Sequence, residues 1–177
     1  MNSPYIKMTT FYQTTRRGVK IIAPTKTLLN KMRQCVDLVA KKEDVGLKTI
    51  LITPTRGEGG AFYQEEKTYV VEGGSFTRND VTWEASCLLH EFRHAWQKRN
   101  WSKNNCDDWN KAETDAARCQ MVFLFMSERE DLIKRLKKQL KKQWWKKDGK
   151  DYTPRGNVLD KWLDKYIKKQ IKIKAVG

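Results

Sequence analysis

The sequence predicts an α+β domain over residues 1–127 followed by a lysine-rich helical extension, packed on it, over residues 128–177. Three observations predict it. Apolar residues recur three and four apart in several segments, the period of helices that bury one face. Two β-branched, apolar runs bounded by glycines fall between the first and second of these segments, as strands do. Basic residues gather behind position 127, where 17 Lys and Arg stand against 7 Asp and Glu, a net +10 of the chain's +15. A chain of 177 residues suits one domain with an appendage. With 39% hydrophobic residues and seven Trp it has the material for a packed interior, which excludes a disordered chain.

Residues 1–23 mix Thr, Tyr and basic side chains, and the patch Val19, Ile21, Ile22 reads as a short strand. Pro24 and Thr25 open a helix whose apolar positions Leu28, Leu29, Met32, Cys35, Val36 and Val39 lie on one stripe, ending near Gly46. The run 47–53 is a strand stopped by Pro54 and by Gly57, Gly59 and Gly60. A second run, 61–71, closes on Gly73 and Gly74, and the two are expected to form a hairpin or part of a short antiparallel sheet. Asn79 or Asp80 can cap the helix that runs on to about Arg99, and Asp107 or Asp108 the next one, through Ala112 and Ala116 to about Met126. Leu132, Leu136, Leu140 and Trp144 stand four apart among lysines, and Leu159, Trp162, Leu163, Tyr166 and Ile167 repeat the theme, so two basic amphipathic helices are expected.

Chemistry concentrates in His90-Glu91-Phe92-Arg93-His94, an H-E-x-x-H pattern inside a predicted helix. At 3.6 residues per turn, positions i and i+4 share a face, so both imidazoles can converge on one tetrahedral ion, with zinc the expected cofactor. Glu91 follows the first ligand slightly around the helix, where its carboxylate serves as general base to a water on the metal rather than as a ligand. These are the only two histidines in the chain, and Leu88, Leu89, Ala95 and Trp96 flank them as a half-buried helix requires.

A catalytic zinc usually takes three protein ligands. With no third histidine, a carboxylate is the expected third, ahead of a thiolate. The following helix offers Glu113 and Asp115. Glu113 shares its stripe with Trp109, Ala116 and Ala117 and is favoured; Asp115, about 200° away around the helix, is the alternative, or else orients or packs beside the ligands.

His90-Glu91-x-x-His94 on one helix and Glu113-x-x-Ala116 on the next resemble the gluzincin type of metallopeptidase, and the order of elements over 25–127 resembles its minimal minigluzincin and IrrE-like members. The resemblance implies a zincin-like domain in which His90, His94 and Glu113 bind zinc, Glu91 is general base and acid, and an edge strand, here within 61–71, aligns a protein substrate. Two positions depart from the family: Arg93 is charged where most members are not, and Ala117 stands where Asp or Asn is common. Spartan-like DNA-associated proteases also place H-E-x-x-H beside basic regions, but with a third His that this chain lacks. Tyr63, Tyr69 and Arg93 are the candidates to stabilise an oxyanion.

The expected function is zinc-dependent peptide hydrolysis. The alternative is a nucleic-acid-binding protein with a structural or vestigial zinc, because lysine-rich helices carrying Trp144, Trp145 and Trp162 suit phosphate backbones and unstacked bases; the same stripe also suits a helix covering the domain. A minimal toxin or effector of viral or mobile-element origin fits the size as well. Cys35, Cys87, Cys106 and Cys119 form no C-x-x-C pair, so reduced thiols are expected. No signal-like segment or run of about 18 apolar residues occurs, so a cytoplasmic monomer without a membrane partner is expected. Gly57-Glu58-Gly59-Gly60 lacks the Lys-Ser/Thr ending of a phosphate loop and reads as a turn.

Overall fold

The computed structural model describes residues 10–39, 47–54, 60–63, 67–102, 109–141 and 173–175. It begins with a hairpin of β1 (Phe11–Arg16) and β2 (Val19–Ala23). Arg16 pairs with Val19, leaving a two-residue loop in which Arg17 and Gly18 both have positive φ, 48° and 77°. That is the turn whose twist matches antiparallel strands, and glycine enters it without strain.

Helix α1 (Lys26–Val39) starts at Thr25, whose Oγ1 accepts from the Leu28 amide. It buries Leu29, Met32, Cys35, Val36 and Val39 against the sheet, the stripe its periodicity predicts. Strands β3 (Thr49–Thr53), β4 (Gly60–Tyr63) and β5 (Thr68–Glu72) follow. The short helix α2 (Gly73–Arg78) then leads to the long α3 (Val81–Asn100). Next come α4 (Trp109–Met126), α5 (Glu130–Lys141) and a last strand, β6 (Ile173–Ala175).

The fold is α+β, with a mixed six-stranded sheet ordered β4-β5-β3-β2-β1-β6. This corrects the antiparallel expectation. The run 47–53 does not form a hairpin with the run 61–71: β3 lies parallel to both its neighbours, Ile50 beside Ile21 of β2 and Tyr69 of β5. The second run is itself two strands, β4 and β5, paired antiparallel from Gly60–Val71 to Tyr63–Thr68. The polar residues between them, 64–67, carry no Gly or Pro, so the sequence does not mark a break there; Lys67 takes a positive φ of 50°. The central position of β3 explains why Ile50, Leu51, Ile52 and Thr53 are all buried: both of its faces are covered.

Gly73 and Gly74, on which the second run closes, open α2. A Cβ on Gly73 would come within 2.4 Å of the Thr53 carbonyl oxygen, so only glycine lets the helix start this close to β3. Lys31 of α1 donates to the Phe76 and Asn79 carbonyls and closes the far end of α2. Asp80 then caps α3, its Oδ1 accepting from Thr82 N at 2.7 Å and Trp83 N at 3.3 Å.

One cluster of buried side chains joins β2, β3 and β5 to α1, α3, α4 and α5, with Leu132 and Leu136 of α5 among its members. Arg129 and Arg135 tie that helix to the start of α3, through Asp80 at 3.0 Å and Asn79 at 2.9 Å. The second basic amphipathic stretch, with Trp162, lies outside the described residues, as do Trp144, Trp145, Cys106, Asp107 and Asp108. Among the described residues no helix is long and apolar enough to cross a membrane.

Candidate metal centre

The centre sits where α3 and α4 pack side by side. Three polar links, at successive levels, set the pairing: Gln120 Nε2 donates to Ser86 Oγ at 3.0 Å, Glu113 meets both histidines, and Gln97 Nε2 donates to the Ala112 carbonyl at 2.9 Å. Low numbers on one helix therefore face high numbers on the other, and the helices run antiparallel. Ala112, Ala116 and Ala117 are buried at the contact, and their small size lets the backbones come close.

His90 and His94 point the same way from consecutive turns of α3, their Nε2 atoms 3.1 Å apart. Glu113 reaches across from α4, placing Oε2 3.2 Å from His90 Nε2 and Oε1 3.3 Å from His94 Nε2. The three ligand atoms lie within 4.8 Å of one another, and this buried group could hold a metal ion.

The electrostatics suit a cation. Burial opposes a charge on Glu113, which is 4% exposed, yet hydrogen bonds from His90 and His94 hold its carboxyl down at about 2. Burial likewise opposes a charge on His94, but the hydrogen bond to Glu113 and the charges of Glu91 and Glu113 lift it to about 9. Once His94 gives up that proton to a metal ion, two neutral imidazoles and an anionic carboxylate form a borderline nitrogen and oxygen donor set of the kind that binds zinc and similar divalent ions.

Glu91 is next to the group without belonging to it. Burial pushes its carboxyl above the usual range, the nearby His90 and His94 pull it back, and Glu113 pushes it up again. Its charge is thus coupled to all three ligand candidates.

Asp115 is turned away from the ligands and accepts from Arg93 Nε at 2.6 Å and from Gln97 Nε2 at 2.8 Å. Arg93 also lies over the Trp96 ring, 3.9 Å from its centroid, which accounts for a charge at that place in the motif. His94 Nδ1 meets Gln97 Oε1 at 2.9 Å. His90 Nδ1, by contrast, is buried with no hydrogen-bond partner among the described residues.

Of the oxyanion candidates, Tyr69 is only 3% exposed, its hydroxyl packed under Gly60 of β4, where a Cβ would meet it at 2.5 Å. Arg93 is engaged as above, and the Tyr63 side chain lies outside the described ones. Sequence reasoning passed over Gln97 and Gln120. Gln97 had a signal, since it stands three residues after His94 and so shares its face.

Comparison with known proteins found no matching family model, curated protein or solved structure.

Proposed function

We propose that the chain is a zinc-dependent peptidase in which His90, His94 and Glu113 hold the metal and Glu91 moves the proton. The observation that carries this reading is the convergence of two imidazole nitrogens and one carboxylate within 4.8 Å, with a second, half-buried carboxylate beside them that is not part of the set. When bound, zinc supplies Lewis acidity, polarising a carbonyl and bringing the pKa of water toward about 7.

The chain's own residues do the rest. Burial makes the Glu91 carboxylate a stronger base, so one of its oxygens takes the proton of the attacking water and later delivers it to the leaving amine nitrogen. The imidazoles beside it limit that rise, so Glu91 stays able to give the proton back. Glu113 keeps its charge at neutral pH, its carboxyl lying well below the ordinary range.

A peptide is favoured as substrate by the sheet. Strand β4 is its edge on the side where the chain runs on to α3, and an extended peptide can add to such an edge through main-chain hydrogen bonds. Gly60 and Tyr69 hold that edge strand close to the strand beneath.

The test pairs metal analysis with cleavage of casein and of a peptide library. Wild type should carry about one zinc per chain. Glu91→Gln should keep the zinc and lose about 100- to 10,000-fold of the cleavage rate. Equal cleavage by Glu91→Gln would eliminate the proposed role of Glu91, and protein without zinc would eliminate the centre.

A further inference from the structure

The hydrogen between His94 and Gln97 has only one possible owner. Gln97 Nε2 donates to the Ala112 carbonyl oxygen at 2.9 Å and to Asp115 Oδ2 at 2.8 Å, and a carbonyl and a carboxylate can only accept. The amide nitrogen therefore occupies that side and the amide oxygen faces His94 Nδ1, 2.9 Å away. An amide oxygen donates nothing, so the proton is on Nδ1.

The amide is held in this orientation from behind. Gln97 is 2% exposed, so flipping it would put its oxygen against two acceptors and leave buried polar groups unpaired. Asp115 is kept in place by Arg93, with Nε to Oδ2 at 2.6 Å and Nη2 to Oδ1 at 3.3 Å, and Arg93 rests on Trp96. His90 is the internal control: nothing among the described residues takes its Nδ1.

We propose that Gln97 is a positioning residue that holds a proton on Nδ1 of His94, so that Nε2 turns its lone pair toward the metal. The proposal rests on reading His94 as a ligand. In an unrestrained ring the proton can occupy either nitrogen, and the Nε2–H form cannot ligate through that atom until it rearranges. Glu113 Oε1, 3.3 Å from Nε2, draws the proton the other way until a metal takes its place; Gln97, closer at 2.9 Å, disfavours the Nε2–H form and fixes the plane of the ring.

The test uses the full chain labelled with nitrogen-15 in histidine. With two histidines the spectrum holds four ring nitrogens, assigned with His90→Gln. In metal-stripped protein at alkaline pH, where both rings are neutral, wild-type His94 should show a protonated Nδ1 and a bare Nε2. Gln97→Leu should move the population toward Nε2–H and weaken zinc binding about 10- to 100-fold.

A bare Nδ1 on wild-type His94 would overturn the proposal, as would a Gln97→Leu variant with wild-type tautomer and zinc affinity. If Gln97→Leu does not fold, the wild-type spectrum still decides. Failure of wild type to take up zinc, with the Nδ1 proton in place, would sink the metal centre and leave the Gln97 hydrogen bond standing, so the two failures are distinct.

Discussion

Residues 81–89 of α3 bury Trp83, Ala85, Leu88 and Leu89, and are capped by Asp80 and tied to α5 through Arg129 and Arg135. Residues 90–100 of the same helix carry the two histidines, Glu91, Arg93 and Gln97, and face α4 mainly through polar groups. The first stretch buries one acid, Glu84, hydrogen-bonded by Asn79, whereas the second gathers several charged groups and holds His90 Nδ1, which has no hydrogen-bond partner among the described residues. The difference teaches how such a centre is kept still. Apolar packing along one face of a rigid helix, from Trp83 to Phe92, holds still the ligands that the same helix carries beside it.

If that division holds, substitutions in the two stretches separate metal affinity from stability. The largest effect expected is His94→Ala, which should abolish stoichiometric zinc in metal analysis while leaving the far-ultraviolet circular dichroism of the metal-free protein as in wild type. Next is Leu88→Ala: Leu88 is fully buried, and the cavity should cost about 2–5 kcal/mol in denaturant unfolding, with zinc affinity of the folded protein unchanged. Asp80→Ala removes the α3 cap and a partner of Arg129, and should cost about 0.5–2 kcal/mol without touching the metal. A large loss of zinc affinity in either of these two variants would break the comparison.

The smallest effect sharpens it. Burial raises the Glu84 carboxyl above its ordinary 4.5, against the opposing hydrogen bond from Asn79 and the charges of Lys31 and Arg135. Between 4.5 and the raised value the folded protein holds a proton that the unfolded chain has released, so stability falls as pH rises through that window. Glu84→Gln keeps an oxygen for Asn79 and cannot ionise. It should therefore gain about 1 kcal/mol or less over wild type at neutral pH, and the gain should vanish below pH 4.5, read from thermal unfolding across pH. A gain that persists in acid would show that its source is not the ionised carboxylate.

Much of this was legible beforehand where a single period governed. The stripe of α1, the Asp80 cap and the convergence of His90 and His94 all follow from 3.6 residues per turn, and Glu113 from the stripe it shares with the alanines. What escaped needed partners distant in sequence. Nothing local distinguishes a strand paired parallel from one paired antiparallel, so β3 was misread, and the polar stretch before Lys67 hid a hairpin. Strand β1 hid as well, because Tyr12, Gln13 and Thr14 are only partly buried and make no apolar run. The opening of α2 at Gly73 depends on the Thr53 carbonyl twenty residues earlier, which no turn rule registers.

The polar links between α3 and α4 also determine what motion is open to them. Ser86 with Gln120, the histidines with Glu113, and Gln97 with Ala112 match at one alignment only. Sliding one helix past the other by a turn, about 5.4 Å, would break all three pairings inside the interface at once, at roughly 1–3 kcal/mol for each buried group left alone. A purely apolar seam could ratchet between neighbouring grooves. This one has a single notch, so any opening of the centre has to come from the strands and segments around it, not from the helix pair.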